Sequence, residues 1–486
     1  MKEKSIKTNI VLNTIKVACS IAFPLITFPY ISRVLQPNNV GKVNFGSSFV
    51  SYFSLIASLG IATYAIRECS AARNDRNRLS DTSSQIFSIN ICTTIVAYIF
   101  LALTLLFFDN LASYRKLIYI QSTSILFTTL GADWLNTAME DFKYITIRSI
   151  VFQIISLILM FIFVREEADY LKYAAITVFS TSAANIANIF YRKKFCNISF
   201  TLDMHLKRHL KPIVLLFVML LAQTIFSSAD VTMLGIMKDD FEVGIYSTAH
   251  KIENIISQVV SSLAWVVMPR MSVYFEKNDY EKINNLLHKT LDLLMFIGIP
   301  SLVGVCVLSK EIVIIVGGNS YIDSALPLTI LMISFFFSLI GGSFLGNMVL
   351  LPSKNEKQYM IICCVTAVIN IVLNFLLIPF GGAWAAALTT TMSSFLIMVM
   401  LILKKDKKIK LDYVKDSLKE PIIGSIIILL YCTIIGYYIH HVMVKTFVCV
   451  IGSFILYGIS MIYLKNSLCI QIMEALIERR RSRNER

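Results

Sequence analysis

Five ionisable residues, Lys16, Asp133, Asp230, Lys251 and Glu253, stand inside stretches that are otherwise apolar, and Arg33, Glu140, Arg148 and Arg270 stand near the ends of others. A charge placed in hydrocarbon is costly, which makes each one a candidate for function. Lys16 and Lys251 sit about seven residues inside their stretches, roughly 10 Å deep at 1.5 Å per helical residue. Two roles suit a lysine there: snorkelling to the surface, or lining a site for an anion. Asp133, next to Trp134, reads as the partner of a nearby cation. With Asp230 and Glu253 it is also a candidate carrier of a coupling proton or sodium ion.

The uncharged polar residues form stripes. Asn44, Ser47, Ser51, Ser54 and Ser58 recur at intervals of three and four, which puts them on one face of a helix. At an offset of 203 residues, Ser247, His250, Asn254, Ser257 and Ser261 do the same, with Lys251 and Gln258 on that face. Asn13, Lys16, Ser20 and Thr27 make a third stripe, answered by Gln223, Ser227 and Asp230. Small polar residues also serve as plain packing between membrane helices. Amide and charged groups in four equivalent stripes point instead to a water-filled cavity. Its candidate lining is Asn13, Lys16, Arg33, Asn44, Ser51, Gln223, Asp230, Lys251, Asn254 and Gln258.

The elements that must position these residues are apolar stretches, each close to the roughly 20 residues a helix needs to cross a bilayer. Fourteen are expected: 9 to 32, 42 to 66, 85 to 107, 117 to 139, 145 to 164, 171 to 190, 212 to 236, 244 to 268, 286 to 308, 326 to 351, 359 to 378, 382 to 403, 422 to 440 and 446 to 464. No connecting loop is long enough to fold as a domain. The fold class expected is all-α: a polytopic membrane protein. Pro24 and Pro29 should bend or break the first stretch, since each removes a backbone hydrogen bond. That stretch is too long to be a removable signal peptide.

Composition agrees. The apolar fraction is 56%, above the 45 to 50% usual for soluble domains. With the amino terminus inside, the inner segments hold 34 Lys and Arg and the outer ones 9, so the net charge of +14 follows the positive-inside rule. Both termini are then cytoplasmic, and the basic balance is topology rather than a nucleic-acid footprint. Lys404, Lys405, Lys407 and Lys408, and Arg479, Arg480, Arg481 and Arg483 in the tail, read as topology determinants. The ten cysteines are scattered and lack a CxxC pair, and there is no phosphate loop and no HExxH, so no cofactor or metal is expected.

The offset of 203 also places Val40-Gly41 over Val243-Gly244 and Arg67 over Arg270. Six crossings separate the copies, so they run in the same direction, as in transporters with parallel repeats. The expected organisation is a six-helix bundle over 1–195, a cytoplasmic linker at 196–211 and a second six-helix bundle over 212–403. A basic loop at 404–421, two extra helices within 422–464 and a basic cytoplasmic tail at 465–486 follow. The two bundles would surround a central cavity.

Several strings now read together: Pro29-Tyr30-Ile31-Ser32-Arg33-Val34-Leu35, Tyr64-Ala65-Ile66-Arg67-Glu68, Asp133-Trp134-Leu135, Phe142-Lys143-Tyr144-Ile145-Thr146-Ile147-Arg148, Val243-Gly244-Ile245-Tyr246 and Met268-Pro269-Arg270. In this order the chain resembles the bacterial Wzx-type polysaccharide flippases, of the superfamily that also holds the MATE drug exporters. The resemblance covers about residues 5 to 405. Gln36 departs from it where a glycine is common, and Asn136-Thr137-Ala138 replaces a more usual aromatic-Gln-Gly. It implies a protein of the bacterial inner membrane that moves an undecaprenyl-pyrophosphate-linked oligosaccharide to the outer leaflet for O-antigen or capsule synthesis. A polysaccharide polymerase and a chain-length regulator are the implied protein partners. The competing readings are a lipid II flippase, a MATE-like exporter and a membrane polymerase or glycosyltransferase.

Overall fold

The computed structural model describes residues 6–470; the side chains of residues 6–11, 13, 17, 215, 219 and 265 lie outside that description. The described residues are almost entirely helical: α1 (Ile6–Ser58), α2 (Ile61–Ala72), α3 (Arg76–Phe107), α4 (Arg115–Gly131), α5 (Trp134–Ala138), α6 (Phe142–Phe163), α7 (Tyr170–Tyr191) and α8 (Leu206–Met237) come first. Next come α9 (Asp240–Glu276), α10 (Tyr280–Val307), α11 (Ser309–Gly317), α12 (Ala325–Ser338), α13 (Glu356–Lys404), α14 (Val414–Tyr438) and α15 (Val442–Tyr463). Ten helices among these residues are long and apolar enough to cross a membrane, which makes this a multi-pass membrane protein.

Two of the ten each carry two of the expected stretches. α1 breaks at Gln36 (φ 59°, ψ 168°) and α13 at Gly382 (φ 55°, ψ −128°), conformations that a continuous helix cannot hold. The helix runs on through Pro24 and Pro29, so the interruption falls later than those prolines suggested. Pro37 follows the break, where a residue without an N–H loses nothing. The second stretch was expected to reach residue 66. It stops at Ser58 instead, because Leu59 and Gly60 both take positive φ, and α2 starts afresh with Tyr64, Ala65 and Cys69 buried. The expected fourth stretch likewise ends at Gly131, where Ala132 turns left-handed.

The helices pack as two compact units, residues 1–244 and 245–486. By contacts, therefore, α8 belongs with the helices before it, whereas the repeat read from the sequence begins a second bundle there. In the first unit, α1 packs against α3, α4, α6 and α8. The buried cluster of Ile61, Tyr64, Leu79, Ile86, Trp134, Leu135 and Ile213 ties α2 to α3, α5 and the start of α8.

In the second unit, α10 carries the C-terminal pair α14 and α15. Tyr457 Oη donates to the Phe296 carbonyl at 2.7 Å, Ser417 hydrogen-bonds Asp292, and Lys445 Nζ meets Glu311 Oε1 at 2.5 Å. α12 continues as a π-helix over Leu339–Leu350, a wider winding that opens the helix at a run holding Gly341, Gly342 and Gly346.

Candidate functional site

Where α1 meets α8, the contact is polar. Ser48 Oγ donates to the Ser228 carbonyl at 2.8 Å and lies 2.7 Å from Thr232 Oγ1. Ser51 Oγ reaches the Ser48 carbonyl at 2.6 Å and Ser228 Oγ at 3.3 Å. Ser51 thus serves the packing of two helices, while Ser47, one residue from the inner face, is exposed and Asn44 is half-buried. On α8, Gln223 and Ser227 are exposed and Asp230 is buried, close to Tyr52. Lys16 is half-buried, and Arg33 is exposed with its Nη1 on the Pro29 carbonyl at 2.7 Å. The Asn13 side chain lies outside the described residues.

Asp133 belongs to a second cluster, at the end of α4. Arg148 Nη2 donates to Asp133 Oδ1 at 2.6 Å, and Asn136 Nδ2 donates to the same oxygen at 3.0 Å. Asn136 also reaches Asn188 Oδ1 at 2.5 Å. Asn188 Nδ2 and Arg192 Nη1 take up the Gly131 and Leu130 carbonyls, each at 2.7 Å. Those carbonyls have no helical partner because α4 stops there, and buried carbonyls need donors. The Arg148 guanidinium lies over the Tyr144 ring, which stacks on Tyr191 with centroids 3.5 Å apart. Asp133 is therefore held by a buried arginine. Asn136 and Asn188 were not among the sequence candidates; an asparagine in the place of the usual aromatic was the visible sign.

In the second unit, α9 presents its polar residues on more than one side. Asn254 Nδ2 lies 3.2 Å from His250 Nδ1, Gln258 is exposed, Lys251 is half-buried and Glu253 is buried. Ser261 Oγ pairs with Ser343 Oγ of the π-helix at 2.8 Å. Sequence reasoning missed a buried amide cluster in α13: Asn374 Nδ2 donates to Asn370 Oδ1 at 3.1 Å, and Thr389 donates to Asn374 Oδ1. All three side chains are fully buried, and Asn370 Nδ2 has no hydrogen-bond acceptor among the described residues. Two asparagines four apart in an apolar stretch were the available signal.

These polar groups hold side-chain donors and acceptors within the apolar helices.

Comparison with known proteins places the chain. Residues 6–275 match the family model described as polysaccharide biosynthesis protein, and residues 216–376 match the MatE model. The chain is 23% identical over 384 residues to a protein of Escherichia coli (strain K12) provisionally named an O-antigen transporter, covering 77% of this chain and 90% of that one. It is 23% identical to the capsular polysaccharide biosynthesis protein CapF of Staphylococcus aureus, covering 76% and 90%. Its fold is similar to that of the lipid II flippase MurJ in an inward closed conformation, with a TM-score of 0.77 at 16% identity over 94% of this chain and all of that one. An inward-facing multidrug-resistance MATE transporter of the MOP superfamily gives a TM-score of 0.60 at 10% identity, covering 78% and 93%. With more than half its length matched by that first model, the chain belongs to the polysaccharide biosynthesis protein family.

Proposed function

We propose that this protein is a flippase that carries an undecaprenyl-pyrophosphate-linked oligosaccharide repeat unit from the cytoplasmic to the outer leaflet of a bacterial inner membrane, for O-antigen or capsular polysaccharide synthesis. The chain crosses the membrane fourteen times with both termini cytoplasmic. One observation carries the reading. Ser20 and Gln223 stand 203 residues apart, on equivalent membrane helices of the two repeats, and both side chains are exposed. An exposed amide in a membrane segment calls for water or a polar solute beside it, because hydrocarbon offers no partner.

Moving a pyrophosphate and sugars through hydrocarbon costs tens of kcal/mol for the charges alone by a Born estimate. Polar helix faces with a half-buried lysine in each repeat, Lys16 and Lys251, lower that cost for the headgroup, while the lipid tail stays in the bilayer. Alternating access supplies the route: inward-facing and outward-facing forms are both known for MATE transporters that share this fold. Outward movement of an anion gains about 2.3 kcal/mol per charge per 100 mV of inside-negative potential. Asp230 and Glu253 are the carboxylates offered for proton or sodium coupling, and Asp133 ranks below them because Arg148 holds it. A second reading, flipping of lipid II, is favoured by the likeness of fold to MurJ.

Proteoliposomes test both. A lipid-linked oligosaccharide with a labelled sugar is placed in one leaflet, and its exposure to an impermeant glycosidase is followed, with lipid II as the competing substrate. Protein-dependent exposure of the oligosaccharide, weakened in a Lys16→Ala, Lys251→Ala variant, supports the proposal. Transport of lipid II alone would transfer the assignment to the second reading.

A further inference from the structure

The segment between α7 and α8, expected as a cytoplasmic linker, lies along the start of α3. The Ser199 N–H donates to Ser84 Oγ at 3.2 Å and the Thr201 N–H to Ser88 Oγ at 2.8 Å. Cys196 is buried against α3, its Sγ 3.9 Å from Ser83 Oγ, while the chain beyond it comes to the surface. Phe200 is 52% and Leu202 86% exposed. Ser88 already lies inside the apolar stretch of α3, so the linker runs at the depth where that helix enters the bilayer.

α8 is also exposed along one face. Leu206, Leu210, Val214 and Val218 recur every four residues and are all exposed. Counted from Val218 at about 100° per residue, Gln223 and Ser227 lie about 140° and about 180° round that helix. The stripe begins on a membrane-crossing helix and runs to Leu206, and the exposed Asp203–His205 pair, 3.4 Å apart, separates it from Leu202. Its orientation is fixed from the other side. His209 is buried, with Nδ1 2.7 Å from Tyr64 Oη and Nε2 3.0 Å from Gln85 Oε1. Lys207 and Lys211 flank the stripe and are exposed, and Arg208 lies 3.5 Å from Glu68.

We propose that residues 199–211 are an interfacial membrane anchor. Phe200, Leu202, Leu206 and Leu210 sit at the boundary of headgroups and acyl chains, and Lys207 and Lys211 hold acidic phospholipid headgroups of the same leaflet. Apolar area on one side and cations at its rim are the two contributions that bind a peripheral segment to an anionic bilayer. The anchor seats the linker between the two repeats, and it stands whether the transported lipid carries an oligosaccharide or a peptide.

The full-length protein is placed in nanodiscs of phosphatidylethanolamine and phosphatidylglycerol, with a genetically encoded fluorescent amino acid at residue 202 or, for comparison, at Lys357. Residue 202 is so exposed that the probe leaves the fold intact. Shallow-brominated phospholipid is expected to quench the probe at 202 more than aqueous iodide does, and the order is expected to reverse at 357. Brominated phosphatidylglycerol should quench more than brominated phosphatidylethanolamine. Lys207→Gln with Lys211→Gln should weaken that preference by about fivefold per charge, the equivalent of ~1 kcal/mol each. Iodide quenching at 202 overturns the anchor, as does protection from both quenchers, which would mean that protein covers the site. Equal quenching by the two lipids overturns the acidic-headgroup assignment.

Discussion

Gly41 and Gly244 stand 203 residues apart, and each is pressed against the backbone that opens the other's helix. A Cβ on Gly41 would come within 1.7 Å of the Asp240 carbonyl oxygen, and one on Gly244 within 2.1 Å of the Pro37 carbonyl oxygen. Pro37 and Asp240 are themselves 203 residues apart, so the crossing obeys the same offset as the two glycines. All four residues belong to the first compact unit. Both glycines are helical, so their small size is what the site requires rather than freedom of φ.

Gly41→Ala and Gly244→Ala should therefore each force the two helix starts apart. The expected loss is about 1–3 kcal/mol of stability per substitution, the range for overpacking a tight contact. The two losses should combine less than additively, because one separation relieves both clashes. Thermal unfolding of the purified variants in detergent reads this directly, and a wild-type midpoint for either single variant contradicts the contact.

Gln36 holds φ 59° with ψ 168°, a region that only glycine enters without strain. Gln36→Gly should raise stability by about 1–3 kcal/mol less the greater freedom glycine has when unfolded. The Gln36 Nε2 contact to the Arg33 carbonyl, 2.7 Å and solvent-exposed, offsets little of that. A lower unfolding midpoint in the glycine variant would show that the side chain matters more than the backbone.

The Asp133–Arg148 pair is asymmetric: the arginine side chain is 7% exposed and the aspartate 36%. Removing the aspartate strands a buried guanidinium, whereas removing the arginine leaves a carboxylate that water can reach. Asp133→Leu should cost about 3–5 kcal/mol and Arg148→Met distinctly less. Adding Arg148→Met to Asp133→Leu should recover part of the loss. Equal costs for the two single variants would refute the asymmetry.

The Asp169 carboxyl, in the turn between α6 and α7, is pulled down to about 2. Lys172 is the chief cause, with its Nζ 2.6 Å away, followed by the Arg165 N–H and then, against a smaller desolvation effect, the Glu166 N–H. A depressed carboxylate stabilises the fold fully above its unfolded value, near 4, and loses that contribution as pH falls toward about 2. Hydrogen exchange of the 165–169 amides should accelerate across that window relative to other turns, and Asp169→Asn should abolish the pH step. An unchanged step in the variant would place its origin elsewhere.

The apolar stretches were legible from the chain because hydrocarbon demands long runs without charge, and that demand is local. The stripes of Asn44, Ser47 and Ser51 were legible for the same reason, since helical periodicity is a property of one segment. Which neighbour each polar residue meets was not. Ser51 faces α8 while Ser47 is exposed, and Asn136 pairs with Asn188 across 52 residues.

The sequence by itself determined a membrane protein of apolar helices, the 203-residue spacing of like residues and a family resemblance. Each of these follows from composition, period or order along the chain. Only the tertiary structure decided that the first helix breaks at Gln36 rather than at its prolines, that Asp133 is held by Arg148 and that the linker lies along α3. Those outcomes depend on which backbones approach closely enough to clash or to hydrogen-bond, and that is a property of packing between segments, not of any one of them.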